Sequence, residues 1–396
     1  MTSPHRLAMI PRDGLFCKDG RGWFTSALGR GHGLDWPFPS TLLGALRTAY
    51  GRVIEAKRDR PLSADEWLEH TGGIGLGATL ALRRPLGRDF SRADRLWPVP
   101  ADALFVEGEE QVLRLEPQPV TVPTLSRDDD RARERLWRPT VETCFKPRTP
   151  PRWWGDADFS AWLVGNRVVD VANGGQGAVR MQSRLQAHVG IVADTQTAGE
   201  GILFTHDVFE TLGADRCEWG IGCEVELPAG GATPLPPVTL GADRRPAQLE
   251  ELAPEVFEAS AVVMDAFRAP GGSRGLRLVA VTPIVWERGW LPDRLASEDG
   301  NYRGRLEPIG VEVELRAAFV PRPQSVSGWD MARKRPKPVT RLVPPGAVYF
   351  FERADGNTFT ADDAEKLWLS AIGCRVGEGF GRVVPGVWRG EEDARR

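Results

Sequence analysis

Residues 360–388 read TADDAEKLWLSAIGCRVGEGFGRVVPGVW, a helix signal, a glycine loop and a strand signal in that order. The first N–H groups of a helix have no partner inside it, and Thr360 with Asp363 three residues on offers a reciprocal pair of caps. Ala364, Leu367, Trp368, Ala371 and Ile372 then follow the i, i+3, i+4, i+7, i+8 spacing that lines one helix face. The spacing therefore predicts a helix opening after Thr360 whose apolar face runs to Ile372. Gly373, Gly377, Gly379 and Gly381 interrupt the pattern, and RVVPGVW returns as an apolar strand. A helix packed back onto a strand is the unit of an α+β fold.

The GEGFG run at 377–381 is not a nucleotide loop. A phosphate-cradling loop follows a strand and opens a helix, so that the helix N-terminus meets the phosphate. Here the loop follows a helix and enters a strand, and the Lys–Ser/Thr pair is missing. Two readings stay open. The glycines end the helix, or they let backbone N–H groups approach an RNA backbone with Arg375 and Arg382 beside them.

Upstream, GLRLVAVTPIVW (275–286), VEVELRAAFV (311–320) and GAVYFFE (346–352) read as strands, so the second half runs strand, strand, helix, strand. The first hundred residues have a similar order. HRLAMIP is an apolar run, PSTLLGALRTAYG (39–51) a helix, IGLGATLALRR (74–84) a strand and LWPVPADALF (96–105) a proline-punctuated return, so this stretch runs strand, helix, strand. Ser40 or Thr41 can cap that helix, Leu42, Leu46, Ala49 and Tyr50 share a face, and Gly51 is a suitable stop. Between the halves, residues 107–155 are loop-like and mixed in charge. DADFSAWLVGN (156–166) is a short helix with Trp162 and Leu163 facing inward, and residues 183–210 are two strands around a turn. Two units of similar order suggest a duplicated fold.

At 396 residues the chain can bury two cores. Glycine (44) and proline (32) make about a fifth of it, which demands many turns but falls short of low complexity. The net charge of −3 announces no nucleic-acid binder; the distribution says more. Residues 322–341 hold six basic residues against one acid, 1–60 ten against five, and 127–152 eight against five. Solvated surface is the plain alternative for each patch. Five cysteines without CxxC spacing and five scattered histidines assemble no zinc set from local motifs. With no signal peptide and no apolar run near 18 residues, a reduced, cytoplasmic protein is expected, without a membrane partner.

Catalytic chemistry has little to stand on. His32, in the basic GRGHGLDW loop, is the best-placed general base for a metal-free ribonuclease. Asp128–Asp130 could hold Mg²⁺, but flanking arginines neutralise them into ordinary surface. The sequence gives no reason to expect a metal or a cofactor. Aromatics beside cations are the stronger pattern, because aromatic faces stack on unpaired bases while Arg and Lys neutralise phosphate. Trp329 stands before the 333–341 basic run, and Trp153–Trp154 follow Arg148 and Arg152.

Taken in order, PRDGLFCKDGRGW (11–23), PFPSTLLGALRTAY (37–50), WPVPADALF (97–105), HVGIVADTQTAGEGILF (188–204), VTPIVWERGWLP (281–292), SGWDMARKRPKPVTRLVPPGAVYFF (327–351) and GEGFGRVVPG (377–386) resemble the third Cmr subunit family of type III-B CRISPR–Cas effector complexes, RAMP-superfamily proteins. The likeness runs nearly end to end. It departs at Cys17–Lys18, at Gly22–Trp23 and at Gln186–His188, where the family more often has Phe–Arg, Pro–Phe and a Glu–Arg pair.

The resemblance implies an α+β fold of two ferredoxin-like (RRM-like) βαββαβ modules, one in 1–225 with a long insertion around 107–155, the other in 226–396 with the glycine-rich loop. It implies a non-catalytic subunit that holds the crRNA 5′ handle. Such a subunit bridges the large polymerase-type subunit to the backbone nuclease subunit, and meets target RNA only indirectly. On that reading Ser40, Thr41 and Arg47 meet phosphate at a helix N-terminus. Trp329, Lys334, Arg335 and Lys337 form a basic loop held open by prolines, and Gly379, Gly381 and Arg382 make the glycine-loop contact. A repeat-processing endoribonuclease and a protein-only scaffold remain the alternatives.

Overall fold

In the computed structural model, residues 4–18, 29–31, 33–119, 136–141, 146–168, 178–179, 182–213, 215–227, 237–298, 301–330 and 335–390 are described. They form five α-helices and large, mainly antiparallel sheets. No helix among them is long and apolar enough to cross a membrane. The chain divides into two compact units, each built from separated stretches. The first takes 1–90, 181–253 and 325–341; the second takes 91–180, 254–324 and 342–396.

These units do not follow a cut at 225, and sheet pairing is the reason. In the first unit five strands lie in the order Gly75–Pro85, Cys217–Glu226, His5–Pro11, Arg245–Glu251, Val238–Leu240, each pair antiparallel. Met9 sits opposite Ile221 on one side and Leu249 on the other, so strands from both sides of residue 225 share one partner. A strand flanked on both edges and covered on both faces reads as a continuous apolar run. Leu7, Ala8, Met9 and Ile10 accordingly lose almost all their exposure. Helices α1 (Pro39–Arg58) and α2 (Ala64–Thr71) pack together, and α1 also meets the Gly75–Pro85 and Val238–Leu240 strands.

Gly51 does not stop α1. Any Cβ there would lie 1.8 Å from the Trp67 ring of α2, so the glycine permits a close helix crossing. The helix continues to Arg58, where Asp59 takes a left-handed φ of 52° and ends it. Beside the sheet, Ser183–Ile191 and Ala198–Phe209 form a long antiparallel hairpin, with Gly29–Gly31 parallel to its second strand.

In the second unit seven strands lie in the order Leu295–Glu298, Asn301–Leu306, Val311–Phe319, Val348–Arg353, Gly275–Ala280, Arg382–Trp388, Ser370–Ala371. GAVYFF does supply a core strand: Val348–Phe351 is buried between the Val311–Phe319 and Gly275–Ala280 strands. Helices α3 (Asp156–Leu163), α4 (Ala261–Arg268) and α5 (Ala361–Leu367) pack in series against the Arg382–Trp388 strand. Trp162 and Leu163 point inward as their spacing predicts.

The Thr360–Asp363 capping box forms, but α5 is shorter than its apolar spacing predicts. Leu369 adopts a φ of 53°, and Ile372 donates its N–H to the Gly381 carbonyl at 2.9 Å instead of continuing a helix. Around Gly275–Ala280, the four central strands and α5 follow one another in the chain as strand, strand, strand, helix, strand, which are five of the six elements a βαββαβ module would have. Where its other helix would stand, between Gly275–Ala280 and Val311–Phe319, the described chain has the strands Leu295–Glu298 and Asn301–Leu306.

This unit also buries charge. Arg277 and Asp102 pair at 3.0 Å with side chains 2% and 0% exposed. Asp102 accepts from Trp162 Nε1 at 2.9 Å, while Arg277 and Arg114 both donate to the Trp162 carbonyl. The Arg114 guanidinium lies 3.6 Å from the Trp162 ring centroid, adding a cation–π contact. Arg114, inside the expected 107–155 insertion, thus joins Asp102, Trp162 and Arg277 in the core of the second unit.

Candidate nucleic-acid interface

The basic segment is a ribbon rather than an open loop. Gln324–Val326 pairs with Thr340–Leu342, and Trp329–Asp330 pairs antiparallel with Arg335–Pro336. Lys337 donates its N–H to the Gly328 carbonyl at 2.8 Å, and the Ser327 hydroxyl donates to the Lys337 carbonyl at 3.0 Å. The prolines therefore do not keep the segment from pairing. A proline tolerates a ribbon whose outer edge has no further strand to satisfy, and Pro336 sits opposite Trp329 on that terms.

Val326 and Leu342 turn inward, at 5% and 1% exposure, and fix the base of the ribbon. Arg335, Lys337 and Arg341 stay exposed, with no ion-pair partner among the described residues. Three exposed cations on a narrow two-stranded support are groups of the kind that pair with phosphate. Trp329 contributes its backbone to the pairing; Lys334 lies outside the described residues, as do His32 and Asp128–Asp130.

Ser40 and Thr41 occupy the first turn of α1, half-buried. Pro39 opens that turn, and no side chain caps it. Arg47 has another task. Its guanidinium donates to the carbonyls of Gly72 (2.9 Å) and Ile74 (2.9 Å), tying α1 to the entry of the Gly75–Pro85 strand. Arg47→Ala should accordingly lower stability by about 2 kcal/mol, the worth of charged hydrogen bonds to backbone. Urea midpoints read that loss, and RNA affinity measured on the folded fraction should hold near wild type.

The glycine loop in the second unit also turns inward. Gly381 is buried, with its N–H given to the Pro283 carbonyl, while Gly379 and Glu378 donate within the loop to Val376 and Arg375. Thr282 donates its hydroxyl to the Gly379 carbonyl, and Arg382 reaches the Val376 and Leu369 carbonyls. Of the two open readings, the described hydrogen bonds serve the loop itself, and those N–H donors have partners already. Gly379, Gly381 and Arg382 belong to the second unit; Ser40, Thr41, Arg47, Arg335 and Lys337 belong to the first.

Trp153 and Trp154 are not a stacking platform. They are 3% and 1% exposed, and Trp154 packs edge-on against Trp162 in the second unit's core. Two adjacent aromatics next to cations look the same in sequence whether they face bases or a core. Two thiols, Cys17 and Cys223, are equally withdrawn: burial pushes Cys17 up to about 12, and a thiol held protonated is a poor nucleophile.

Comparison with known proteins adds a family. Residues 7–388 match the family model described as CRISPR-associated protein (Cas_Cmr3). No curated protein sequence matches the chain. Among solved structures, a chain of Type III-B Cmr-beta bound to cognate target RNA and AMPPnP is similar at 14% identity and a TM-score of 0.42, over 87% of this chain and 86% of that one. Cmr-beta bound to cognate target RNA gives 13% and 0.43 over the same shares. The Csm3–Csm4 subcomplex of the type III-A CRISPR–Cas interference complex gives 8% and 0.35, over 88% of this chain and 94% of that one.

Proposed function

The chain belongs to the CRISPR-associated protein family Cas_Cmr3, and on that footing we propose that it is a non-catalytic, crRNA-binding subunit of a type III CRISPR effector complex. In this reading it holds the crRNA 5′ handle and bridges the large polymerase-type subunit to the backbone nuclease subunit, in the cytoplasm, as part of antiviral defence. The paired ferredoxin-like modules belong to the same proposal.

The family match over residues 7–388 carries the reading. The exposed cations of the 324–342 ribbon give it a physical basis, because a single-stranded handle offers phosphates, 2′-hydroxyls and unstacked bases together. Ser40 and Thr41 add the open N-terminal turn of α1, where the helix dipole favours an anion.

The test is to coexpress the chain with its neighbouring genes and a crRNA array, purify through a tag on this chain, crosslink and sequence the RNA. Crosslinks gathered in one fixed 5′ sequence, with effector subunits copurifying, support the proposal; random or absent RNA removes it. A synthetic copy of that RNA then measures the ribbon. The triple variant Arg335→Ala, Lys337→Ala, Arg341→Ala should bind on the order of tenfold more weakly at low salt. Its salt slope should flatten by about 2, at roughly 0.7 per phosphate contact on a single strand. Unchanged affinity and slope would move RNA binding away from the ribbon.

One observation favours a protein-only scaffold as the second reading. The 183–209 hairpin exposes Leu185, Val189, Ile191 and Leu203, all between 47% and 62%, and contiguous apolar surface marks an interaction face. Subunit copurification that survives RNase, with no RNA affinity of the chain's own, would select this reading.

A further inference from the structure

The five histidines have no metal-binding spacing in sequence, but the hairpin brings two of them together. His188 pairs with Phe204 and Gln186 with His206 across the two strands. His188 and His206 are therefore diagonal neighbours on one face, with ring centroids 4.3 Å apart. Phe16 stacks on His206 at 4.2 Å and Phe204 on His188 at 5.2 Å, giving the pair apolar walls. Asp243 arrives from the turn before the Arg245–Glu251 strand and sets its Oδ2 3.7 Å from His206 Nε2.

One ligand atom from each of the three lies within 4.8 Å of the others, the one such trio among the described residues. His206 is 5% exposed, and the Nε2 atoms of both histidines are buried with no hydrogen-bond partner. A buried polar atom without a partner is costly, so two of them facing a carboxylate mark a place built for an occupant.

We propose that His188, His206 and Asp243 bind one first-row divalent transition-metal ion, with Zn²⁺ as the reference ion. Two imidazoles and a carboxylate are the donor set such ions take, and three protein ligands leave the fourth tetrahedral position to water. Arg245 supports the arrangement. It lies 3.6 Å from Asp243, pairs with Asp13 at 2.8 Å and donates to Gln186, so the carboxylate has an orienting neighbour. The ion would pin the middle of the long hairpin to the turn before the Arg245–Glu251 strand. This role is separate from the RNA contacts of the ribbon.

The experiment uses the full chain without a polyhistidine tag, stripped with chelator and re-dialysed against Zn²⁺ alone. Metal content is read by atomic emission, affinity by competition with a chromogenic chelator, and geometry by the visible spectrum of the Co²⁺ form. Wild type should retain one equivalent and give a tetrahedral Co²⁺ band. His188→Gln and Asp243→Asn, at half-exposed and exposed positions, should each weaken Zn²⁺ binding at least about tenfold, since losing even an outer-shell partner costs that much. Cys217→Ser should leave it unchanged. Wild type retaining no more Zn²⁺ than the His188→Gln/Asp243→Asn double variant, with circular dichroism showing both folded, overturns the site.

Discussion

Gly381→Ala is expected to lower stability by about 4 kcal/mol. Gly381 is buried at a φ of +75°, and a Cβ there would lie 1.9 Å from the Ile372 carbonyl oxygen. A side chain in the left-handed region costs on the order of 1–3 kcal/mol. Forcing atoms into a packed site adds about 1–3 more. The obstacle is backbone rather than a movable side chain, so relaxation has to shift the Ile372–Gly381 bridge that joins the end of α5 to the final strand. Against a typical total of about 5–15 kcal/mol, the variant should show a much lower urea midpoint or fail to accumulate in soluble form. Gly377→Ala is the control: exposed, with nothing within 4 Å, it should stay within about 0.5 kcal/mol of wild type. Equal midpoints for the two variants would sink this account of the loop and return the glycines to a ligand-facing role.

Asp102→Ala should cost about 3–5 kcal/mol, because it strands Arg277 as a buried charge with its carboxylate partner gone. The Trp162 indole N–H loses its acceptor in the same step. The double variant Asp102→Leu/Arg277→Met removes both charges together, and buried pairs replaced by packed apolar groups are often neutral or more stable. It should therefore recover most of the midpoint lost by Asp102→Ala. Additive losses across the cycle would mean that packing, rather than charge pairing, holds Arg277 in place.

Much of the fold was legible because local rules governed it. The 183–210 hairpin, the inward Trp162 and the Val348–Phe351 core strand followed from spacing and turn chemistry, whereas α1 opens at Pro39 behind Phe38 with no cap from Ser40 or Thr41. What failed had tertiary causes. Gly51 looked like a helix stop, but its purpose was the Trp67 ring from α2, a contact no local window contains. Ile372 kept helical spacing, yet Gly381 claimed its N–H. The basic run was readable as exposed charge, whereas its pairing as a ribbon joins residues 324–326 to 340–342, which no local window contains. Trp153 and Trp154 carried the right residue types for RNA, but their burial commits them to the protein interior, and half-buried Arg47 has its guanidinium engaged by the Gly72 and Ile74 carbonyls. His188 and His206 stand 18 positions apart, so only strand register could bring them together.

The pairing of His5–Pro11 with Cys217–Glu226 has a consequence for biosynthesis. A ribosome adding about 5–20 residues per second needs roughly 10–40 s between making the two strands. Throughout that interval LAMI has neither of its sheet neighbours, and the later one, Arg245–Glu251, emerges after both. The first unit is consequently a late-completing product of translation, with its earliest apolar segment leaving the exit tunnel long before its partners. Such a nascent chain is a natural client for holding chaperones. Its yield should depend more on elongation rate and chaperone supply than the stability of the finished protein would suggest.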